Sequence, residues 1–218
     1  MTRAPGRLVD RLVWLHGAIA ANVANRVWRP WLRWRGADLG QGVQLLGRPI
    51  VSIAAGGRLR IGDRVTLCSA SWATALGVAR PVVLRVLSPG AAIDIGADCG
   101  LSGTVICAAS GVRIGPECLF GADVKLMDTD FHPLRAQGRI LNRPEHIATA
   151  PITIGRNVFI GTGSMVLKGV SIGDNAVIGA GSVVTRDVPA NCIAAGQPAR
   201  IVGRVPDAEP LTDPSSEL

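Results

Sequence analysis

Tyrosine is absent from this 218-residue chain and phenylalanine occurs only three times. With so few rings, the 48% of residues that are hydrophobic are mainly Val, Ile, Leu and Ala, a composition that suits a tightly turned, repetitive β structure better than a sandwich or a bundle. The scarcity also removes the aromatic platforms on which single-stranded nucleic acid is stacked, so the basic balance of the chain is not read as a nucleic-acid footprint. The five cysteines (68, 99, 107, 118 and 192) are odd in number and show neither C-x-x-C nor zinc-ligand spacing, which argues against a disulfide framework or a structural metal and points to a reducing, cytoplasmic setting. Long apolar runs are missing too. The longest uncharged stretch near the amino terminus, Leu12 to Asn25, contains His16 and Asn22 and is too short to span a bilayer, and no cleavage pattern of a signal peptide follows it.

Acids are scarce where the charge is concentrated. Residues 1–35 hold seven arginines against Asp10 alone, a net +6 of the chain's +7. Leu8, Leu12, Leu15, Ile19 and Val23 fall at helical spacing, Pro30 is expected to interrupt the helix, and Trp28, Trp31 and Trp34 follow among arginines. Such an arm suits a peripheral contact with the inner face of a membrane bearing anionic lipid; it equally suits packing on the rest of the chain or on a neighbouring subunit. Residues 206–218 read as a mobile, acidic, Pro-rich tail.

Between these ends a six-residue beat is present. From Ile154 the chain reads IGRNVF, IGTGSM, VLKGVS, IGDNAV, IGAGSV, VTRDVP, with an aliphatic residue opening every block and a small or apolar residue in the fifth place. The beat recurs at Ile61 and Leu67, at Ile95, Leu101 and Cys107, and at Ile114, Phe120 and Leu126, so it occupies most of residues 36–205. A period of six fits neither a 3.6-residue helix nor simple strand alternation. It fits a triangular coil in which three sixes make a rung and rungs stack as parallel strands at about 4.8 Å. Cys99 and Cys118 take the fifth place and are expected to be small buried hydrophobes.

The beat stops at "DTDFHP". Counting on from Leu126 puts Asp130 and His132 at inward places, and burying an acid and an imidazole without partners costs several kcal/mol, so the chain must leave the coil. Pro133, Pro144 and Pro151 punctuate an aperiodic excursion over about residues 128–150, and the count restarts at Ile152 and Ile154. Imidazole is the side chain that accepts a proton near neutrality. If the segment is extended, Asp128, Asp130 and His132 share one face, so that one aspartate can orient the ring while the other binds substrate.

The tandem blocks, closing in "AGQPARIVG", resemble the hexapeptide-repeat acyltransferases, in particular the sugar and polysaccharide O-acetyltransferase branch. The resemblance implies an all-β, left-handed parallel β-helix with an amino-terminal helical arm (residues 1–35) and one excursion loop. It further implies a homotrimer that uses acetyl-CoA as co-substrate, requires no metal, and acts on a hydroxyl of a sugar or glycan by direct attack, with His132 as general base. Residues eighteen apart stack on neighbouring rungs, so Gly161 and Thr162 lie beneath Gly179 and Ala180, an edge nearly free of side chains along which the cofactor of such enzymes would run. Lys168, Arg186 and Arg204 follow at rung spacing, and a column of cations suggests the company of cofactor phosphates. Arg200, in the terminal segment, is placed near the cofactor by the resemblance, although Gln197 replaces the more usual Asn. The alternatives are an N-acetyltransferase acting on an amino sugar, a non-catalytic β-helix scaffold, and a carbonic anhydrase on the same coil. The last needs three histidine ligands, whereas only His132 and His146 lie in the body.

Overall fold

An aliphatic residue repeated every sixth position must be given a dry interior at every turn of the chain, and the computed structural model, which describes residue 23 and residues 25–206, shows how this is done. The chain winds into three sheets of six, eight and six short strands, each strand pairing with the one a full rung away. The first sheet runs from Ala37–Leu39 to Ser171–Ile172, the second from Gln44–Leu46 to Ala199–Arg204, and the third from Ile50–Ile53 to Val183–Val184. Pairing is parallel except for the final hairpin of Cys192–Gly196 with Ala199–Arg204. Every block-opening aliphatic from Ile154 to Val184 is at most 2% exposed and every fifth-place residue from Val158 to Val188 at most 4%, so both inward positions fill the prism.

The corners follow from backbone sterics. Asp98, Glu117, Asn157, Asn175 and Asn191, one above another at the corner after the first sheet, all have φ between 53° and 65°. Asn and Asp tolerate this left-handed region better than other side-bearing residues. Their stacking also pays a second return: Asn157 Nδ2 donates to Asn175 Oδ1 at 3.0 Å and Asn175 Nδ2 to Asn191 Oδ1 at 2.9 Å.

Three features depart from the sequence reading. Ile106, not Cys107, fills the prism, in register with Leu84 and Leu126, because the turn at Gly103 and Thr104 is one residue shorter than the beat requires. Residues 69–82 form a further loop between the second and third sheets, with a short 3-10 turn at Ser71–Ala73. Its neck is held by Ser71 Oγ donating to the Val78 carbonyl at 2.7 Å and by the Asp123 carboxylate accepting the Ala79 N–H at 3.1 Å. Finally, Pro30 does not break the arm: helix persists through residue 34, and Gly36 at φ 90° closes it.

The described part of this helix covers the open end of the coil. Leu32 is fully buried, Trp28 and Trp31 pack against the core edge-to-face with centroids 5.9 Å apart, and the Arg48 guanidinium lies over both rings at 5.1 and 5.5 Å. Asn25 Oδ1 accepts the Leu45 N–H at 2.9 Å. A stacked coil needs such an end cap because its first rung would otherwise expose its interior. Two of the three clustered tryptophans are therefore engaged by the chain's own coil, and Trp34 points outward. The helical reading of Leu8 to Ile19, residue His16 and the tail from residue 207 onward lie outside the described residues. No helix among the described residues is long and apolar enough to cross a membrane.

Truncating an inward residue leaves a cavity that the stacked rungs cannot collapse into. Ile160→Ala is expected to lower the unfolding free energy by about 2–5 kcal/mol in chemical denaturation, whereas Thr153→Ala, at an exposed outward-facing strand position, should cost less than about 1 kcal/mol.

Candidate active site

The excursion leaves the third sheet after Lys125–Met127 and rejoins the first at Ile152–Ile154, which matches the break in the beat. Its neck is a short antiparallel ladder: Thr129 bridges Thr149, the Asp130 N–H donates to the Ala148 carbonyl, and the Ala150 N–H donates to the Asp128 carbonyl. Below the neck lies Asp128, 0% exposed, whose carboxylate accepts the backbone N–H groups of Ala109, Ser110 and Gly111 at 2.7, 2.7 and 2.6 Å. These donors belong to the corner one rung down. Above the neck, Asp130 Oδ1 meets Lys168 Nζ at 2.7 Å, which ties the excursion to the next rung up. The chain then turns sharply, with Phe131 at φ 61°, a conformation that is costly for a bulky side chain and tends to persist only where its surroundings impose it.

That turn corrects the expectation of a shared face. With Phe131 left-handed, the alternation of an extended strand is lost, and Asp128, Asp130 and His132 point three different ways. Asp130 meets Lys168 and not the imidazole, and the Asp128 carboxylate is enclosed and engaged by the backbone. His132 is exposed, and its Nδ1 lies 2.8 Å from Asn142 Oδ1, across the excursion. The ring lines a cavity of about 560 Å³ together with Ala136, Gly138, Arg139, Ile140 and Asn142. A larger concavity, about 810 Å³, lies on the outer face of the first sheet among Asp38, Arg60, Asp94 and Arg113, and offers charges but no histidine or other neutral base. The candidate site is therefore the smaller one, which holds the imidazole.

The expected cofactor residues divide. Gly161 and Gly179 are set by rung stacking: a Cβ on Gly161 would come within 2.5 Å of the Ala180 nitrogen, and one on Gly179 within 2.9 Å of the Ala195 Cβ. The open ledge lies beside them, at exposed Ala180, half-buried Thr162, and Gly163 and Gly181, where an added Cβ would meet nothing within 4 Å. Gly163 and Gly181 escaped the sequence reading; their signal was the second glycine of "IGTGSM" and "IGAGSV". Lys168 and Arg186 occupy adjacent rungs at the end of the third sheet, as the register of Val166 with Val184 requires, but the anion beside Lys168 is Asp130. Arg204 is not in this column. The chain reverses at Gln197 and Pro198, and Arg204 ends opposite Cys192 on the second sheet. Arg200, opposite Ala195, is exposed.

The cysteines offer no exposed thiol. All five are buried. Burial pushes the Cys107 thiol up, and in the buried Cys99–Cys118 pair the hydrogen bond between the thiols pushes Cys118 up and Cys99 down. Among the described residues there is no group of three or more His, Cys, Asp or Glu side chains placed to hold a metal ion.

A triangular coil of three parallel sheets built from six-residue blocks is the left-handed parallel β-helix of hexapeptide repeats. The family description "Hexapeptide repeat of succinyl-transferase" matches residues 151–186. The galactoside O-acetyltransferase of Escherichia coli (strain K12) is 43% identical over 98 residues, 45% of this chain and 46% of that one. The crystal structure of the polySia-specific acetyltransferase NeuO superimposes with a TM-score of 0.53 at 26% identity, covering 77% of this chain and 64% of NeuO. A hexapeptide-repeat-containing acetyltransferase from Vibrio cholerae O1 biovar eltor, complexed with acetyl coenzyme A, shares the fold over 94% of both chains, with a TM-score of 0.54 at 19% identity. The chain is similar to hexapeptide-repeat acyltransferases, with the repeat itself matched over residues 151–186, and it spans about half the length of the galactoside enzyme it matches.

The site depends on the Asp128 anchor. Asp128→Ala leaves three backbone donors without their acceptor and is expected to destabilise by about 3 kcal/mol or more, with faster proteolytic cutting in residues 134–143; Asp128→Asn should fall between. Unchanged melting and unchanged cutting would contradict the anchor.

Proposed function

We propose that this protein transfers an acetyl group from acetyl-CoA to a hydroxyl of a sugar or glycan, with His132 as general base. The observation that carries the proposal is the exposed imidazole lining the cavity at the base of the excursion. The similarity to a galactoside O-acetyltransferase and to a polySia-specific acetyltransferase supports the acceptor class. In this reading the acceptor hydroxyl gives its proton to His132 Nε2 as its oxygen adds to the thioester carbonyl carbon. The tetrahedral oxyanion that forms requires a hydrogen-bond donor, for which a backbone N–H is the candidate. The carbon–sulfur bond then breaks, and the imidazolium returns its proton to the departing thiolate. The thin pantetheine arm would run along the ledge of Thr162, Gly163, Ala180 and Gly181, with Arg186 and Arg200 available to cofactor phosphates.

The same proposal includes a homotrimer. Leu119, Phe159, Val177 and Ile193 form an in-register apolar column on the outer face of the second sheet, where Leu119 is 56% and Phe159 46% exposed. The corresponding column on the first sheet is Asp38, Arg60, Asp94 and Arg113. An apolar row on one face and charges on another is the asymmetry expected where a coil packs on copies of itself.

Mass spectrometry of galactosides and sialic-acid oligomers after incubation with acetyl-CoA should show acetylated product, and His132→Ala should lower turnover by about 10²–10⁴-fold while acetyl-CoA binding persists. Retained turnover in that variant would remove the base assignment. Light scattering should give the mass of three chains, and Phe159→Asp should reduce it; a monomeric intact protein would contradict the assembly.

A further inference from the structure

Accepting His132 as the base leaves open what holds its ring, since both aspartates of the motif are committed elsewhere. Among the described residues the side-chain hydrogen bond of the imidazole is Nδ1 to Asn142 Oδ1, 2.8 Å. Asn142 is itself held firmly in place. It sits at φ 44°, ψ 44° after the 3-10 turn Arg139–Leu141, and its N–H donates to the Arg139 carbonyl. The Arg139 guanidinium in turn donates to the carbonyls of Pro133 and Leu134 at 3.0 and 2.6 Å, which are the two residues following His132. Arg139 thus clamps the far limb of the excursion to the near one, at the register that brings the amide to the ring. Of the two motif aspartates, Asp130 Oδ1 meets Lys168 and the Asp128 carboxylate is held by the backbone, while Arg139 shares the cavity wall with the ring.

We infer that Asn142 is a positioning residue for the proposed reaction. A neutral imidazole has one N–H donor and one acceptor nitrogen, and the partner of the first decides which nitrogen keeps the lone pair. An amide oxygen can only accept, so Nδ1 carries the proton and Nε2 faces the cavity as the base. A carboxylate in the same place would fix the same tautomer but add a negative charge that raises the imidazole pKa. The amide fixes the ring without that charge.

Histidine-selective ¹⁵N spectroscopy of the full chain tests this directly, and with three histidines the His132 signals are assigned by its substitution. The intact protein is expected to show His132 protonated at Nδ1 when neutral. Asn142→Ala should shift the tautomer toward Nε2–H and lower kcat about 10-fold or more with the acceptor KM little changed. Asn142→Asp should keep the tautomer and activity at high pH while moving both the His132 titration and the acid limb of kcat/KM upward by about one pH unit or more. An Nε2–H tautomer in the intact protein, or a spectrum and pH profile unmoved by Asn142→Ala, would overturn the inference. The spectrum reads the contact without reference to turnover, so it is separable from failure of the base assignment, which His132→Ala decides.

Discussion

The interior of a stacked coil admits a polar side chain only where the backbone supplies its hydrogen bonds, and the arrangement of this molecule turns on one such place. Asp128 enters the prism wall at 0% exposure because the corner of the rung beneath turns three N–H groups toward it. An unpaired carboxylate there would cost several kcal/mol. Paired, it closes the coil and fixes the point from which the chain departs. The excursion, the left-handed Phe131 and the outward His132 all follow from that point, and Lys168 ties the departing limb to the rung above through Asp130.

A rigid prism with an exposed imidazole at its edge lends itself to chemistry that asks for positioning more than for a complex set of groups. Acyl transfer from a thioester is of that kind, because the donor is already activated and the protein has to align it with an acceptor and take one proton. The open glycines at 163 and 181 lie on the corner between the second and third sheets, and His132 lies beyond the other edge of the third sheet. Ledge and base are thus on opposite margins of one sheet. The proposed mechanism therefore requires the proposed trimer to set the ledge of one chain beside the base of another.

Much of the coil was legible because its constraint is strictly local and periodic. Any residue at the first or fifth place of a six must be small or aliphatic, so Ile154 through Val188 announce their burial, and a histidine on the count announces a departure. What was not legible depends on contacts across rungs or on single turns. Asp128 reads as a site acid because nothing in "DTDFHP" says that residues 109–111 will meet its carboxylate. Arg204 falls out of the cation column because the reversal at Gln197 and Pro198 replaces a rung by a hairpin. Ile106 displaces Cys107 because one turn is a residue short. Asn142 lies ten residues from His132 within an aperiodic segment, and only the clamp of Arg139 on Pro133 and Leu134 brings the two together.

The central claim is that the imidazole of His132 and the glycine ledge serve one reaction. A crystal structure of the full chain with a non-transferable thioether analogue of acetyl-CoA tests it most directly. The account predicts the pantetheine arm along Gly163 and Gly181, with the acyl carbon within about 3–5 Å of a His132 Nε2, close enough for an acceptor oxygen to bridge them. An analogue bound elsewhere, for instance across the charged face of the first sheet with no histidine near its acyl group, would contradict it.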